Sequence, residues 1–491
     1  MNWKYPSMNP HSNQFITSTT NNTVPGYCRL HKLILLSAHT AEDLTAVTQN
    51  FISYLKESSG VDLAGIAFDL AVGKRVFTHK RMLVCTDIAD ALTALERLDP
   101  ARVFNRVQKL TSRPVVFMFP GVGEQYSGMS RELYESEEVF RRSADECCEL
   151  LKAEVQTDFR ELLFDGHEAA QRPRATAKLD LRRVLGRESE DGRSMRDVVI
   201  EKELSRTSIA QIAVFIVEYA LSQLWISFGV KPQAMIGYSL GEYLAATVSG
   251  VLSLKDALHL VAQRAQLMES LPRGAMLTVA LSETKVRRLL QTASVTDLSI
   301  AAINGPETCV LSGTEEAITQ IEARLTGEVS RRVETTHAVH SQMMRPIFDE
   351  VTKLVRGVKL NSPRIPYVSN LTGTWTTAEE ALDHTYWSRH MCQEVRFEEG
   401  LGEILADKQR LFLEAGPGHS LGSFARQHPE CSSEQAGSMV SSLRGKYDSG
   451  GDEENLLRAV GKLWLAGVEI AWEEYYAGER RRRVVLPDIS F

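Results

Sequence analysis

AMIGYSLGEYLAATVSG, at residues 234–250, is the stretch of sequence that decides the fold. A short apolar run ends at Gly237 and an Ala-rich run begins after Ser239, so the stretch predicts a strand, a sharp turn and a helix. Gly237–Gly241 fits the G-x-S-x-G pattern of a nucleophile elbow, in which flanking glycines let a strained turn expose a serine hydroxyl. A tight turn with an incidental serine is the alternative. Both flanks favour Ser239 as a nucleophile.

The chain on either side of this stretch also has the pattern of an α/β domain. PVVFMFPG (114–121) is fully apolar and ends in a Gly-rich turn, as an opening strand of a buried parallel sheet does. The apolar helix pattern at 207–229 leads into the elbow strand, and strands and helices alternate again after residue 341. We predict a large α/β-hydrolase-like domain with a parallel sheet over residues 113–273 and 341–440.

Residues 274–340 have a different order of predicted strands and helices. Their patterns read strand, helix, strand, strand, helix, strand, which is the ferredoxin-like split βαβ order. We therefore predict a ferredoxin-like small subdomain inserted in the large domain.

Residues 165–206 are rich in Arg, Glu and Asp and poor in large apolar groups, which indicates a solvated insertion.

Composition excludes several classes of function. The 491 residues carry 56 Lys+Arg against 63 Asp+Glu, a net charge of −7 that does not favour nucleic acid or an anionic membrane as a partner. The seven cysteines form no C-x-x-C pair, and no signal peptide or bilayer-spanning run is evident, so we predict a cytoplasmic protein. The sequence has no H-E-x-x-H motif or cysteine cluster, and we predict neither a metal nor a cofactor.

A nucleophilic serine needs a base, and the twelve histidines leave the choice open on composition alone. THAVHSQMM (336–344) places His337 and His340 at the end of a predicted strand, VSRRVETTHAVH (329–340), and before a predicted helix. A lone histidine is more often a structural residue than a catalyst. Spacing therefore makes both histidines candidates without deciding between them.

Eight motifs, in this order, resemble the acyltransferase domains of modular polyketide synthases and the malonyl-CoA:acyl-carrier-protein transacylases. They are FMFPGVGEQYSGM (117–129), GYSLGEYLAA (237–246), VAQRAQLM (261–268), AAINGPETCVLSG (301–313), HAVHSQMM (337–344), YVSNLTG (367–373), YWSRHMCQEVRF (386–397) and FLEAGPGHSLG (412–422). Residues 28–112 are similar to the small α/β linker domain that precedes such acyltransferases, and 441–491 to the linker that follows them. Only the polar residues 1–27, which we predict to be a disordered leader, lie outside the resemblance.

The resemblance implies a catalytic dyad. It places the family's nucleophile on Ser239 and its catalytic histidine on His340, and it implies that the main-chain carbonyl of His390 orients the imidazole. Backbone N–H groups of Val122 and Leu240 would form the oxyanion hole. No acidic third member of a triad is implied.

Substrate recognition is also implied by the resemblance. Arg264, 25 residues after the serine, would clamp the second carboxylate of malonyl through its bidentate guanidinium. The specificity pocket would comprise Tyr238, Leu240, His337 and Val339, because HAVH is similar to the family's malonyl-type HAFH. The chain departs from the family at Val122, Tyr238 and Ile212, where Gln, His and Pro are usual, so a slightly larger or 2-substituted malonyl unit stays open.

The predicted function is transfer of an extender acyl unit, most simply malonyl, from coenzyme A to an acyl carrier protein in polyketide biosynthesis. Coenzyme A enters as a substrate thioester, and other polyketide synthase subunits are further possible partners. The basic runs at 480–483 and 331–332 are candidate surfaces for an acidic carrier. Two alternatives are an editing hydrolase of acyl-carrier thioesters and an inactive docking or scaffold domain.

Overall fold

The computed structural model of the chain describes residues 29–57, 60–164, 195–293, 295–325 and 327–479. The predicted leader at 1–27, residues 165–194 of the predicted insertion and the arginine run at 480–483 lie outside the described residues. The described remainder of the insertion begins with a helix at Met195–Leu204.

The N-terminal unit is an antiparallel sheet with helices on one face. Its elements are β1 (Lys32–Ala38), α1 (Ala41–Glu57), α2 (Leu63–Val72), β2 (His79–Cys85), α3 (Ile88–Arg97) and β3 (Val103–Val107). The strands are ordered β1-β2-β3. Successive side chains of a strand point to opposite faces. Ile34 and Leu36 accordingly lie under α1–α3, whereas Leu33 and Leu35 join the main core of the protein.

The next segment builds the first half of the large unit. Its elements are β4 (Val115–Phe119), α4 (Arg131–Ser136), α5 (Glu138–Leu151), α6 (Phe159–Leu163), α7 (Met195–Leu204), α8 (Thr207–Ser227), β5 (Pro232–Gly237), α9 (Leu240–Ser249) and α10 (Leu254–Glu269). Among the described residues, α8 alone has the length and apolar composition to span a bilayer, but 83% of its most apolar window is buried inside the protein. Its apolar character is that of a central core helix.

The small unit has the predicted ferredoxin-like order. Its elements are β6 (Ala275–Val279), α11 (Glu283–Ala293), β7 (Leu298–Gly305), β8 (Thr308–Gly313), α12 (Glu315–Arg324) and β9 (Ser330–Arg332). The strands are ordered β7-β8-β6-β9, with antiparallel neighbours. The last strand is shorter than predicted and ends at Arg332, so His337 and His340 lie in an irregular segment.

The chain then returns to the large unit. A 3-10 helix (Gln342–Ile347) is followed by α13 (Phe348–Arg356), β10 (Tyr367–Val368), α14 (Ala378–Leu382), α15 (Tyr386–Cys392), β11 (Val395–Arg396), α16 (Phe397–Leu405), β12 (Leu411–Glu414), α17 (Ser420–Gln427), α18 (Ser433–Ala436), β13 (Met439–Ser441), α19 (Asp452–Leu465) and α20 (Trp472–Tyr475). Strand β11 pairs in parallel with β7 and so adds a fifth strand to the small sheet.

The large sheet is five-stranded, parallel throughout and ordered β10-β5-β4-β12-β13. The predicted fold class, an α/β fold with a parallel sheet and a ferredoxin-like subdomain, is therefore confirmed. The exact domain boundaries stay predictions. Because the strands are parallel, the loops after β4, β5, β10 and β12 meet at one edge of the sheet, where open α/β sheets bind ligands.

Candidate active site

Ser239 lies in a strained turn between β5 and α9. Its φ is 52° and its ψ is −109°, a conformation that residues other than glycine rarely adopt. A Cβ added to Gly237 would lie 2.1 Å from the carbonyl carbon of Gly241, and one added to Gly241 would lie 2.1 Å from the carbonyl oxygen of Phe119. The two glycines of the motif are therefore required for the close packing of strand and helix.

His340 faces this serine. Its Nε2 lies 2.6 Å from Ser239 Oγ, and its Nδ1 lies 2.9 Å from the His390 carbonyl oxygen and 3.1 Å from that of Gln393. Carbonyl oxygens only accept, so Nδ1 carries the hydrogen and Nε2 presents its lone pair to the serine hydroxyl. Burial, with smaller contributions from His390 and Arg264, lowers the pKa of His340 to about 3. The ring is neutral at physiological pH and can accept a proton.

Asn370, two residues after the end of β10, fixes the serine turn, and sequence reasoning did not identify it. Its Oδ1 accepts a hydrogen bond from the Ser239 N–H at 2.7 Å, and its Nδ2 donates to the Gly237 carbonyl at 2.7 Å. Its own N–H donates to Glu242 Oε2 at 2.8 Å. The available signal in the sequence was a polar residue near the carboxyl end of a strand, within YVSNLTG (367–373).

Glu242 connects the serine turn to the histidine. The carboxylate is fully buried, receives a hydrogen bond from the Tyr386 hydroxyl and lies 3.3 Å from His390 Nε2. Since the His390 carbonyl accepts from His340, a closed ring of contacts runs from Ser239 through Asn370, Glu242 and His390 to His340. A charged residue in the otherwise apolar start of α9 was the signal for this ring.

Arg264, on α10, is 2% exposed. Its guanidinium lies 4.8 Å from the centre of the Tyr243 ring. Within the described part of the chain, neither its Nε nor its Nη1 has a hydrogen-bond partner. Buried cations are almost always paired in proteins, because leaving them unpaired is costly. The free donors therefore indicate a site for an anionic group.

A cavity of about 590 Å³ brings most of the predicted residues together. Seven of them line it: Val122, Tyr238, Ser239, Leu240, Arg264, Val339 and His340. Leu240 is the first residue of α9, where N–H groups have no partner within the helix. The neighbours of Val122 are fixed by side chains, since Gly121 N–H donates to Glu218 Oε1 and Gly123 N–H to Gln125 Oε1, both at 2.7 Å.

His337 does not line this cavity, contrary to its predicted place in the specificity pocket. It is 3% exposed, and its Nδ1 lies 3.0 Å from Thr207 Oγ1 and 2.9 Å from Thr336 Oγ1. The irregular segment brings its ring to Thr207 at the start of α8, and Thr207 rather than His337 lines the cavity. The place of His337 in the structure is that of a packing residue.

Of the two predicted basic docking surfaces, the structure describes the one at residues 331–332. Arg332 forms ion pairs with Glu315 and with Glu322, the latter at 3.0 Å. Arg331 is exposed and lies at the rim of the cavity. The run at 480–483 lies outside the described residues.

A family model described as an acyl transferase domain matches residues 116–470. The chain belongs to this family. A second model, described as CurL-like, PKS C-terminal, matches residues 32–95, within the N-terminal unit of this acyltransferase. The predicted resemblance to acyltransferase domains of modular polyketide synthases is thus confirmed.

The relatives of this acyltransferase are much longer proteins. It is 34% identical over 455 residues to a phenolphthiocerol/phthiocerol polyketide synthase protein of Mycobacterium tuberculosis, a match that covers 90% of this chain and 28% of that protein. It is 31% identical to the polyketide synthase GfsA of Streptomyces halstedii, over 93% of this chain and 6% of the synthase. The chain therefore spans less than a third of the length of these synthases.

Solved structures of similar domains match nearly end to end. The acyl transferase domain of ZmaA matches with a TM-score of 0.83 and 34% identity, over 94% of this chain and 100% of that one. The acyl transferase domain of SpnD, solved in complex with 2-(pent-4-yn-1-yl)malonyl, matches with a TM-score of 0.74 and 30% identity, over 89% and 96%. This acyltransferase therefore shares its full architecture with polyketide synthase domains.

Proposed function

We propose that this acyltransferase moves a malonyl group from coenzyme A, through an ester on Ser239, to the phosphopantetheine thiol of an acyl carrier protein. The observation that carries the proposal is the 2.6 Å contact between Ser239 Oγ and the neutral His340, in one cavity with the unpaired donors of Arg264. A nucleophile with its base and a buried cation suits a thioester that also bears a carboxylate.

The first half-reaction loads the enzyme. His340 Nε2 takes the proton of Ser239 Oγ while Oγ forms a bond to the thioester carbonyl carbon. The carbonyl oxygen becomes an oxyanion, which the N–H groups of Leu240 and Val122 are placed to receive. The carbon–sulfur bond then breaks, and His340 returns its proton to the sulfur of the departing coenzyme A.

The second half-reaction reverses these steps on the carrier. The carrier thiol gives its proton to His340 and its sulfur attacks the ester carbonyl. The ester bond breaks, and His340 returns the proton to Ser239 Oγ. Transfer exceeds hydrolysis only while the phosphopantetheine arm fills the cavity and excludes water. The cycle consumes one thioester and one thiol and produces one of each, and His340 carries the proton in both halves.

Arg264 is the proposed carboxylate clamp. A guanidinium presents two parallel N–H donors to a carboxylate, and Nε together with one Nη forms such a fork. The ligand of the SpnD domain is itself a 2-substituted malonyl, which supports a carboxylated acyl group for domains of this kind. In this chain the clamp would hold the malonyl carboxylate on the side of the cavity formed by α10.

Malonyl is the proposed acyl unit rather than methylmalonyl. Val339 and Leu240 line the same cavity as Ser239. We expect their branched side chains to restrict the space near the acyl C2 atom. The Val339 carbonyl is fixed by a 2.7 Å hydrogen bond from Ser312 Oγ, which limits how far this wall can retreat. Tyr238 lines a further part of the cavity.

Arg264 argues against an editing hydrolase for uncharged acyl chains. Such an enzyme would bury this cation beside an apolar substrate without a partner, at a substantial cost in free energy. The Ser239–His340 contact argues against an inactive scaffold. A scaffold gains nothing from two strained residues, and both Ser239 and His340 have positive φ, 52° and 56°.

A transfer assay tests the proposed function. Enzyme loaded with malonyl is mixed with a phosphopantetheinylated carrier, and the intact masses of both proteins are followed. We expect the malonyl mass to leave the enzyme and appear on the carrier. Release of free malonate while the carrier stays unmodified would support the hydrolase instead. A carrier lacking phosphopantetheine is the control.

A further inference from the structure

A second cavity of about 240 Å³ adjoins the acyl cavity. The two cavities share His419 and Asp448 in their walls, so the second opens beside the mouth of the first. It lies between α17, the end of β13 and α19, at the same edge of the parallel sheet as Ser239.

Three cationic side chains line the second cavity: Arg426, Arg458 and Lys462. We call it the cationic pocket. Arg458 and Lys462 are four residues apart on α19 and therefore share one face of that helix. Burial and the charges of Arg458 and Arg426 lower the pKa of Lys462, which means that the three groups lie close enough to repel one another.

Few negative charges offset this group. Arg458 Nη2 forms an ion pair with Glu454 at 2.6 Å. Within the described part of the chain, no carboxylate forms an ion pair with Arg426 or Lys462. Arg426 reaches only two main-chain carbonyls, both at 3.4 Å, and Lys462 Nζ lies over the Phe104 ring at 5.2 Å.

Asp448 is the acidic residue of the pocket wall, and it is already engaged. Its carboxylate accepts a hydrogen bond from Gly445 N–H at 2.8 Å and lies 3.6 Å from His419 Nδ1. The carboxyl group of Glu414 lies near Arg426 and is also engaged. Burial raises its pKa to about 7, although Arg426 acts to lower it, and its oxygens already accept hydrogen bonds from the N–H groups of Leu421 and Gly422. Since Arg426 and Lys462 have no ion-pair partner among the described residues, the pocket is suited to an anion from outside the chain. A concave pocket of this size can hold the phosphate groups of a small molecule. A helix on the surface of another protein is convex and would fit it less well.

We propose that the cationic pocket binds the phosphates at the 3′-phosphoadenosine diphosphate end of coenzyme A while the thioester lies in the acyl cavity. The inference rests on the proposed function, because it takes the acyl donor to be a coenzyme A thioester. His419 and Asp448 line both cavities, so a ligand that passes these two residues extends from one cavity into the other. Coenzyme A carries several phosphate groups at the end of its flexible arm, and the cationic pocket places several cations beside the opening of the acyl cavity.

Kinetics with truncated donors test this inference. The double variant Arg426→Gln, Arg458→Gln is compared with the wild type on malonyl-CoA, malonyl-3′-dephospho-CoA and malonyl-pantetheine, which lacks the nucleotide. The readout is the ratio of KM for malonyl-CoA to KM for malonyl-pantetheine. We expect this ratio to rise about five- to tenfold, as the loss of two partly exposed charge contacts predicts. Lys285→Gln, on the far small unit, is the matched control and should leave the ratio unchanged.

A binding measurement separates this inference from the proposed function. Titration of adenosine 3′,5′-bisphosphate into the Ser239→Ala protein needs no catalysis, and we expect the double variant to bind it more weakly by a similar factor. An unchanged KM ratio together with unchanged nucleotide binding would overturn the inference. So would a rise confined to the KM of the carrier protein, which would assign the pocket to the carrier. Failure of the wild type to accept malonyl from either donor would instead contradict the proposed function.

Discussion

Asn370 Oδ1 accepts a 2.7 Å hydrogen bond from the main-chain N–H of Ser239. The same side chain donates to the carbonyl of Gly237, so one amide group spans the turn that carries the nucleophile. Such a turn has few ways to satisfy its own main-chain groups, because its φ and ψ lie outside regular structure. Asn370 therefore acts as a positioning residue for the serine.

Replacing Asn370 by alanine is expected to lower kcat about 10- to 100-fold while KM changes little, because a displaced nucleophile loses its reactive geometry. The free energy of unfolding should fall by about 1–3 kcal/mol, since two buried main-chain groups lose their partner. Asn361→Ala is a matched control, because Asn361 also bonds a main-chain carbonyl, that of Val251, away from the site. Equal kcat values for the two variants would contradict the positioning role.

Arg264→Ala should lower kcat/KM for malonyl-CoA far more than kcat/KM for acetyl-CoA, because the acetyl group has no carboxylate to pair with the guanidinium. The loss of a charged hydrogen-bonded partner predicts a fall in kcat/KM for malonyl-CoA of about 10- to 100-fold. Arg264→Lys, which keeps the charge but not the fork, should fall between the two proteins. The measurement is acyl-enzyme formation with each donor. A parallel loss for malonyl and acetyl would show that the residue serves packing alone.

The low pKa of His340 predicts a specific dependence of stability on pH. Its ordinary value is 6.5 and its folded value about 3, so between these values the unfolded chain binds more protons on this ring than the folded protein does. Stability contributed by the neutral ring is complete above about pH 6.5 and is lost as the pH falls towards 3. The free energy of unfolding of the His340→Gln variant, measured with denaturant, should therefore fall less between pH 7 and pH 5 than that of the wild type, because the variant lacks this titrating ring. Equal losses in both proteins would contradict the shift.

Competition between malonyl-CoA and methylmalonyl-CoA tests the proposed acyl unit. We expect labelling of the wild type to favour malonyl by about tenfold or more, because one methyl group in an apolar pocket is worth about 1–3 kcal/mol. Val339→Ala should reduce the preference by opening the wall beside the serine. Equal labelling, or an excess of methylmalonyl, would contradict the malonyl assignment and leave the acyltransferase family unaffected.

Much of the fold follows from local pattern. The strand Lys32–Ala38 coincides with a short, nearly continuous apolar run, and the apolar helix Leu63–Val72 begins directly after the capping residue Asp62, so local sequence marks both elements. The short strand β11, by contrast, has only two residues and exists because it pairs with β7. The 3-10 helix Gln342–Ile347 contains Pro346, and this part of a longer predicted helix does not take the α conformation.

The site was predictable to a similar extent. Ser239 follows from its motif, whereas His340 and Arg264 needed the family resemblance, because neither has a local signature. The ring through Asn370 and Glu242 depends on contacts between residues 128 apart in the chain, which no local pattern encodes. The position of His337 behind the cavity wall could not be derived from strand alternation, because the segment after β9 is irregular.

The identity of the nucleophile is the central claim, and the intact mass of the protein after incubation with malonyl-CoA tests it most directly. We expect the wild type to gain the mass of one malonyl group, with the modification located on Ser239 by peptide mapping. Ser239→Ala should gain none and should unfold at the same denaturant concentration, because only a hydroxyl facing the cavity is removed. An alanine variant that gains the malonyl mass at the rate of the wild type would contradict the account.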